Sequence, residues 1–361
     1  MYEYSHGGNA IYERGKSAVI DLSANINPLG IPENVRDAII GEIPNCVRYP
    51  DSFSNELRAR IAEFEDTTSD RILCANGASD IIFRLPRALR SRKVMIAAPT
   101  FSDYERSARS SGSEVTRHTL SALRGFNMDD SYIEAVWNEK PDLVYVCNPN
   151  NPTGTLTEAG LIKKLLDCCR RMDAWAAVDE CFLDFTENAG EYTSKVYIEQ
   201  YPNLVILKAF TKIFSLPGIR LGYAICNNKR LIDGLYYNGA DWPVSNLAQA
   251  AGIAALSGAK RFIKETAAYV STERAKIKKE LARLGYKVFE SMANYVFIQN
   301  PYSFDLREEL DKKAVRIRSC GNFHGLDESY CRIAVSTKEN NDVLLTIMTE
   351  VTKPYMERRV L

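Results

Sequence analysis

The sequence predicts an α/β fold, with a mostly parallel sheet covered on both faces by helices and a smaller α+β lobe after it. Three observations predict it. Short apolar runs without period-2 alternation recur up to about residue 225, helix-period segments separate several of them, and beyond about Leu256 the texture changes to a long charged helix and short strands. Strands apolar on both faces belong inside a covered sheet, and strands alternating with helices build a parallel one. A chain of 361 residues, 45% hydrophobic and 25% charged, is large enough to bury such a core.

The elements follow in order. After a polar N-terminal arm, helix spacing over residues 55–64 leads into the apolar run 71–74, and helix spacing over 80–90 leads into the run 93–98. Further apolar runs lie at 143–147, 174–178, 204–207 and 221–225, with a helical pattern at 158–171. In the C-terminal part, a charged helix over 259–284 precedes strand-like 286–289, 295–298, 315–318 and 332–335, and a helix closes the chain. The expected organisation is an arm over 1–30, a large domain over 31–255 and a small domain over 256–361.

Lys and Arg total 46 against 46 Asp and Glu, so bulk attraction to nucleic acid or to anionic lipid is not expected, while a local basic pocket remains open. No apolar run approaches the roughly 20 residues of a membrane span, and the first thirty residues lack a basic-then-apolar order. The expected address is the cytoplasm, with no membrane or nucleic-acid partner. Nine cysteines without a CxxC pair read as reduced thiols, and three histidines argue against a histidine-rich metal site.

In such sheets, ligands bind at the carboxyl ends of the strands. Asn76-Gly77-Ala78-Ser79 reads either as a tight turn with Ser79 as N-cap or as an anion cradle at a helix start. Phe101, after Pro99-Thr100, is a core aromatic or a flat surface for a planar ligand. Asn148 to Gly154, Asn-Pro-Asn-Asn-Pro-Thr-Gly, is dense in turn formers. Asp179 ends an apolar run, so its carboxylate needs a cation to offset burial. Lys212 is a solvated loop lysine or, with Asp179 and Arg220 nearby, part of a site for an anionic, protonatable ligand.

Taken in order, the phosphate-type turn, Pro-Thr-Phe, NPNNPTG, Val178-Asp179-Glu180 and Thr211-Lys212 through Arg220-Leu-Gly-Tyr223 resemble fold-type I pyridoxal-phosphate (PLP) enzymes of the aminotransferase class I/II group. That resemblance implies a seven-stranded, mostly parallel sheet between helices, a small α+β C-terminal domain and pyridoxal 5'-phosphate as cofactor. It implies that Lys212 carries the cofactor aldehyde as a Schiff base, Asp179 pairs with the ring nitrogen, Asn151 bonds the phenolic oxygen and Phe101 stacks on the ring. Ala78, Ser79, Thr211 and Arg220 would hold the phosphate, helped by Tyr49 from a second subunit, which makes a homodimer with composite sites the expected assembly.

The chain ends narrow the resemblance. Ser5 to Asn9, Asp21 to Gly30, Pro99 to Arg106, Phe182 and Ile317 to Leu326 are similar to the threonine-phosphate decarboxylases of cobalamin biosynthesis. The related histidinol-phosphate aminotransferases usually carry Tyr at the position of Phe182. Cys181 and Arg318-Ser319-Cys320 depart from the decarboxylase pattern. Both relatives imply a small phosphorylated amino acid or amine as substrate. His6, Asn27, Arg318 and Arg332 are the expected substrate contacts, the arginines able to clamp a carboxylate or phosphate.

Overall fold

The computed structural model describes Gly8 and residues 19–358, and its centre is a seven-stranded sheet. Its strands are β1 (Ile72–Ala75), β2 (Lys93–Ala98), β3 (Glu114–Thr119), β4 (Leu143–Cys147), β5 (Trp175–Asp179), β6 (Leu204–Ala209) and β7 (Gly222–Ile225). The spatial order is β1-β7-β6-β5-β4-β2-β3. Neighbours run parallel except that β7 is antiparallel to both β1 and β6. Reversal of β7 brings its first residues, and Arg220 just before them, to the sheet edge where the other strands end.

Burial on both faces explains the unalternating runs. Val205 and Leu207 pack with Ile81 and Leu85 of the helix Ala78–Ala88, whereas Leu204 and Ile206 face the opposite core with Ile162 and Leu166 of the helix Ala159–Arg171. Burying each such side chain contributes about 1.5–3 kcal/mol. The edge strand β3, Glu-Val-Thr-Arg-His-Thr, was not among the expected runs, because it is polar and only half-buried and gives no apolar signal.

The C-terminal part carries an antiparallel sheet of β8 (Lys287–Val288), β9 (Tyr295–Gln299), β10 (Arg318–Ser319) and β11 (Tyr330–Ala334), in the order β10-β11-β9-β8. Val296, Ile298 and Ile333 pack with Ile277 and Leu281 of the long helix Ala259–Arg283, and Leu22 joins this core from the N-terminal side. The expected strand 315–318 is two pieces. Val315–Arg316 pairs with Ile20–Asp21, while Arg318–Ser319 joins β11, and the buried Ile317 lies between them.

The loop after β4 is docked onto this C-terminal part. Met292 N–H donates to the Gly154 carbonyl at 2.8 Å, and Tyr295 Oη donates to the Asn150 carbonyl at 2.7 Å. Gly154 has φ +77°, and a Cβ there would land on Ser291 Oγ and within 2.9 Å of its Cα. Gly154→Ala is therefore expected to lower unfolding free energy by at least ~2 kcal/mol, measured by urea denaturation, since backbone strain and a backbone clash add.

Candidate active site

A cleft of about 260 Å³ opens where the strand ends meet β10 and β11, and Ala78, Ser79, Phe101, Asn151, Asp179, Thr211, Lys212, Arg220, Arg318 and Arg332 all line it. Residues that sequence spacing could place only at separate strand ends thus share one volume.

The anion cradle is built from close approaches. Gly77, at φ +80°, precedes the helix Ala78–Ala88, whose first turn receives no side-chain cap among the described residues. A Cβ on Gly77 would lie 2.5 Å from Arg220 Nη2, and one on Gly222 would strike the Ala78 amide nitrogen. Arg220 itself has φ +61°, an uncommon left-handed conformation that costs about 1–3 kcal/mol for a non-glycine residue. Uncapped N–H groups, a helix N-terminus and a guanidinium therefore converge where a phosphate fits.

On the sheet itself, Asp179 ends β5 and is buried. Its Oδ2 accepts from Tyr104 Oη at 2.7 Å and its Oδ1 from the Cys181 N–H at 3.0 Å. Burial pushes its carboxyl above the usual range, against the lowering effect of these hydrogen bonds. A buried carboxylate in this state calls for a cation beside it. Across the cleft, Arg332 Nη1 donates to Asn151 Oδ1 at 2.5 Å and Nη2 to the Ser23 carbonyl at 2.8 Å, while its buried Nε has no hydrogen-bond partner among the described residues. Arg318 lies half-buried nearby, with Nη2 donating to Asn322 Oδ1 at 2.7 Å.

Three of the expected contacts are not among the lining residues. Asn27 is corrected: it does not line the cleft but is buried behind Lys212, with Nδ2 donating to the Ile213 carbonyl at 2.6 Å and to Thr266 Oγ1 at 2.9 Å. Its backbone N–H donates to the Lys212 carbonyl at 3.2 Å, so it supports the lysine turn and has no amide hydrogen to spare for substrate. Tyr49 does not reach the cleft of its own chain; it is 78% exposed and stacks on Trp242 at 4.4 Å. His6 lies outside the described residues.

Other lining groups had no assigned role in the sequence. Tyr104 stacks on Tyr145 at 4.8 Å and aims its hydroxyl at Asp179. Its signal was available: three residues after Phe101 on the helix Ser102–Ser110, it shares one helical face with that ring. Ser23, Asn25 and Phe323 also line the cleft, beside Cys181 and Phe182, which the sequence had already singled out.

Residues 17–347 match the sequence model of Aminotransferase class I and II. The chain belongs to this family. It is 31% identical over 360 residues to a threonine-phosphate decarboxylase of Salmonella typhimurium, covering 97% of each chain. It is also similar to the crystal structure of histidinol-phosphate aminotransferase from Clostridium acetobutylicum, with a TM-score of 0.87, 30% identity and coverage of 93% of this chain and 100% of that one. A histidinol-phosphate aminotransferase from Sinorhizobium meliloti, solved in complex with pyridoxal-5'-phosphate, shares the fold at a TM-score of 0.81 and 20% identity, over 92% of this chain and 90% of that one.

The cofactor of this class I/II enzyme is pyridoxal 5'-phosphate, and the cleft fits it. The cradle under Arg220 leaves no room for a Cβ at Gly77, and the raised, buried carboxyl of Asp179 lacks the cation that a protonated ring nitrogen provides. Gly77→Ala should displace Arg220 and weaken PLP binding at least ~10-fold, about 1.4 kcal/mol, in a fluorescence titration.

Lys212 sits in the one-turn helix Phe210–Ile213 after β6, with Nζ 5.9 Å above the Phe182 ring. Desolvation, then the positive charges of Arg332 and Arg220, push its amine down to about 8. Below that pH it is an ammonium ion, and above it the free amine that attacks an aldehyde. Uptake of PLP by the apoprotein, followed by visible absorbance, is accordingly expected to accelerate as pH rises through about 8 and then level off. An exposed lysine would keep accelerating towards its ordinary value near 10.4.

Proposed function

We propose that this enzyme decarboxylates L-threonine O-3-phosphate to (R)-1-amino-2-propanol O-2-phosphate. The observation that carries the reading is Phe182. Its ring meets Tyr295 edge-on at 5.4 Å and lies under Lys212, so the position where the histidinol-phosphate aminotransferases usually place a tyrosine hydroxyl is apolar. The Salmonella relative supports the same reading over nearly the whole chain. Histidinol-phosphate transamination is the second reading, favoured by the close structural match to the Clostridium enzyme.

Beyond the phosphate cradle, Arg318 and Arg332 give the cleft two further cations, enough for a substrate bearing a phosphate and a carboxylate. When bound, PLP supplies a ring that accepts the electron pair left as a bond to the substrate Cα breaks. Asp179 would hold the proton at the ring nitrogen. Phe101 would position the ring from one face, and Asn151, which fixes Arg332, would reach its phenolic oxygen. Arg332, tied to Asn151 and Ser23, keeps Nε for the substrate anion. For decarboxylation, this clamp must hold the carboxylate perpendicular to the ring, where the Cα–carboxylate bond aligns with the π system. Once carbon dioxide had left, the Lys212 ammonium would return a proton to Cα. Phe101, Phe182 and Phe323 shield the reacting atoms from water. His6, outside the described residues, is the remaining proposed substrate contact.

The reading includes a cytoplasmic homodimer in which Tyr49 serves the neighbouring cofactor phosphate, and the division into arm 1–30, large domain 31–255 and small domain 256–361. Exposed Ile40, Ile43, Val47, Tyr49 and Trp242 near one another in sequence or contact support an interface there. Among the described residues, no helix is long and apolar enough to cross a membrane.

Incubation with L-threonine O-3-phosphate is expected to release carbon dioxide, and histidinol phosphate with 2-oxoglutarate to give no glutamate. Glutamate in the second reaction with no carbon dioxide in the first would establish the alternative. Asp179→Asn should retain bound PLP yet lose at least ~100-fold in kcat, about 2.7 kcal/mol of barrier, because the ring nitrogen loses its anionic partner.

A further inference from the structure

Beneath the cleft, on the far side of the strand ends, lies a buried ion cluster with no part in the chemistry described above. Lys208 of β6 is 8% exposed, and its ammonium lies 3.1 Å from Asp184 Oδ1 and 3.6 Å from Glu65 Oε1. Glu65, buried more deeply still, also accepts from Tyr223 Oη at 2.5 Å and from Lys195 Nζ at 3.1 Å. Glu180 accepts from the Ser194 N–H at 2.6 Å and from Thr193 Oγ1 at 2.8 Å, and its charge acts on Lys208. Three carboxylates and two ammonium groups are a poor route to stability compared with apolar packing. Their placement is informative instead. Glu180 follows Asp179, and Asp184 lies in the same turn. Lys208 lies in β6 just before the short helix that carries Lys212, and Tyr223, its partner across the β6–β7 ladder, follows Arg220 closely.

We propose that Lys208 is a positioning residue: it ties the ends of β5, β6 and β7 together from behind, so that Asp179, Lys212 and Arg220 converge on one cofactor. The inference rests on the assignment of the cleft to PLP. It also has an electrostatic consequence. Loss of the Lys208 cation leaves Glu65, Asp184 and Glu180 opposed by Lys195 alone, a more negative cluster behind Lys212. Lys212, which faces Arg220, Arg332 and the Cys181 thiol on the cleft side, then holds its proton more tightly.

The test compares Lys208→Gln, Lys208→Arg and Tyr223→Phe in the full chain, with Lys212→Ala as the spectroscopic blank. In Lys208→Gln the pH midpoint of PLP uptake should move up by about one unit, making uptake ~10-fold slower near neutrality, and PLP should dissociate ~10-fold faster. Lys208→Arg should restore both, and Tyr223→Phe, which keeps every charge, should weaken PLP binding without moving the midpoint. A folded Lys208→Gln protein, by circular dichroism, with wild-type midpoint and affinity overturns the proposal. If that variant does not fold, wild-type PLP affinity in Tyr223→Phe overturns it. A wild-type chain that takes up no PLP overturns the cofactor assignment itself.

Discussion

The arrangement of this molecule turns on one carboxylate that the fold places where a carboxylate is expensive. Asp179 ends a central strand, buried, with Tyr104 and the Cys181 amide as its hydrogen-bond donors. Neither donor carries a positive charge, and burial raises its pKa accordingly. A group of this kind persists where a ligand supplies the missing cation. The rest of the cleft offers the complementary groups: the cradle under Arg220 suits an anion, Phe101 lines the same volume, and Lys212 has a weakened hold on its proton.

The two sides of the cleft reach this arrangement by different means. On the sheet side, backbone geometry does most of the work, through the positive φ of Gly77 and Arg220 and the contact of Gly222 with Ala78. On the C-terminal side, side chains do it, since Arg332 spans from β11 to Asn151 and to Ser23. Cations lie on both walls and repel Lys212 from either side, which lowers its pKa beyond what burial alone achieves.

The sheet was largely legible because β2, β4, β5 and β6 are apolar on both faces and leave a clear mark on the chain. The polar edge strand β3 leaves none. Most of the site was legible too, since its residues follow those same apolar strands, where the chain turns and polar groups cluster. What escaped depends on three-dimensional neighbours. Asn27 reads like any loop asparagine until its amide is seen pointing into the backbone behind Lys212. Tyr104 reads like a helix aromatic until its hydroxyl is seen on Asp179. The cluster around Lys208 draws on residues from 65 to 223, and no local pattern relates them.

The reversed strand β7 has a consequence for how the chain matures. The anion cradle joins Gly77, at the end of β1, to Gly222 and Arg220, which enter the sheet as its last-made strand. Those pieces meet only after a long loop has closed, a step whose entropy cost delays contacts between residues distant in sequence. A chain paused short of β7 therefore lacks Arg220 and Gly222, two parts of the anion cradle, and any ligand bound there shifts the folding equilibrium towards the completed sheet by mass action.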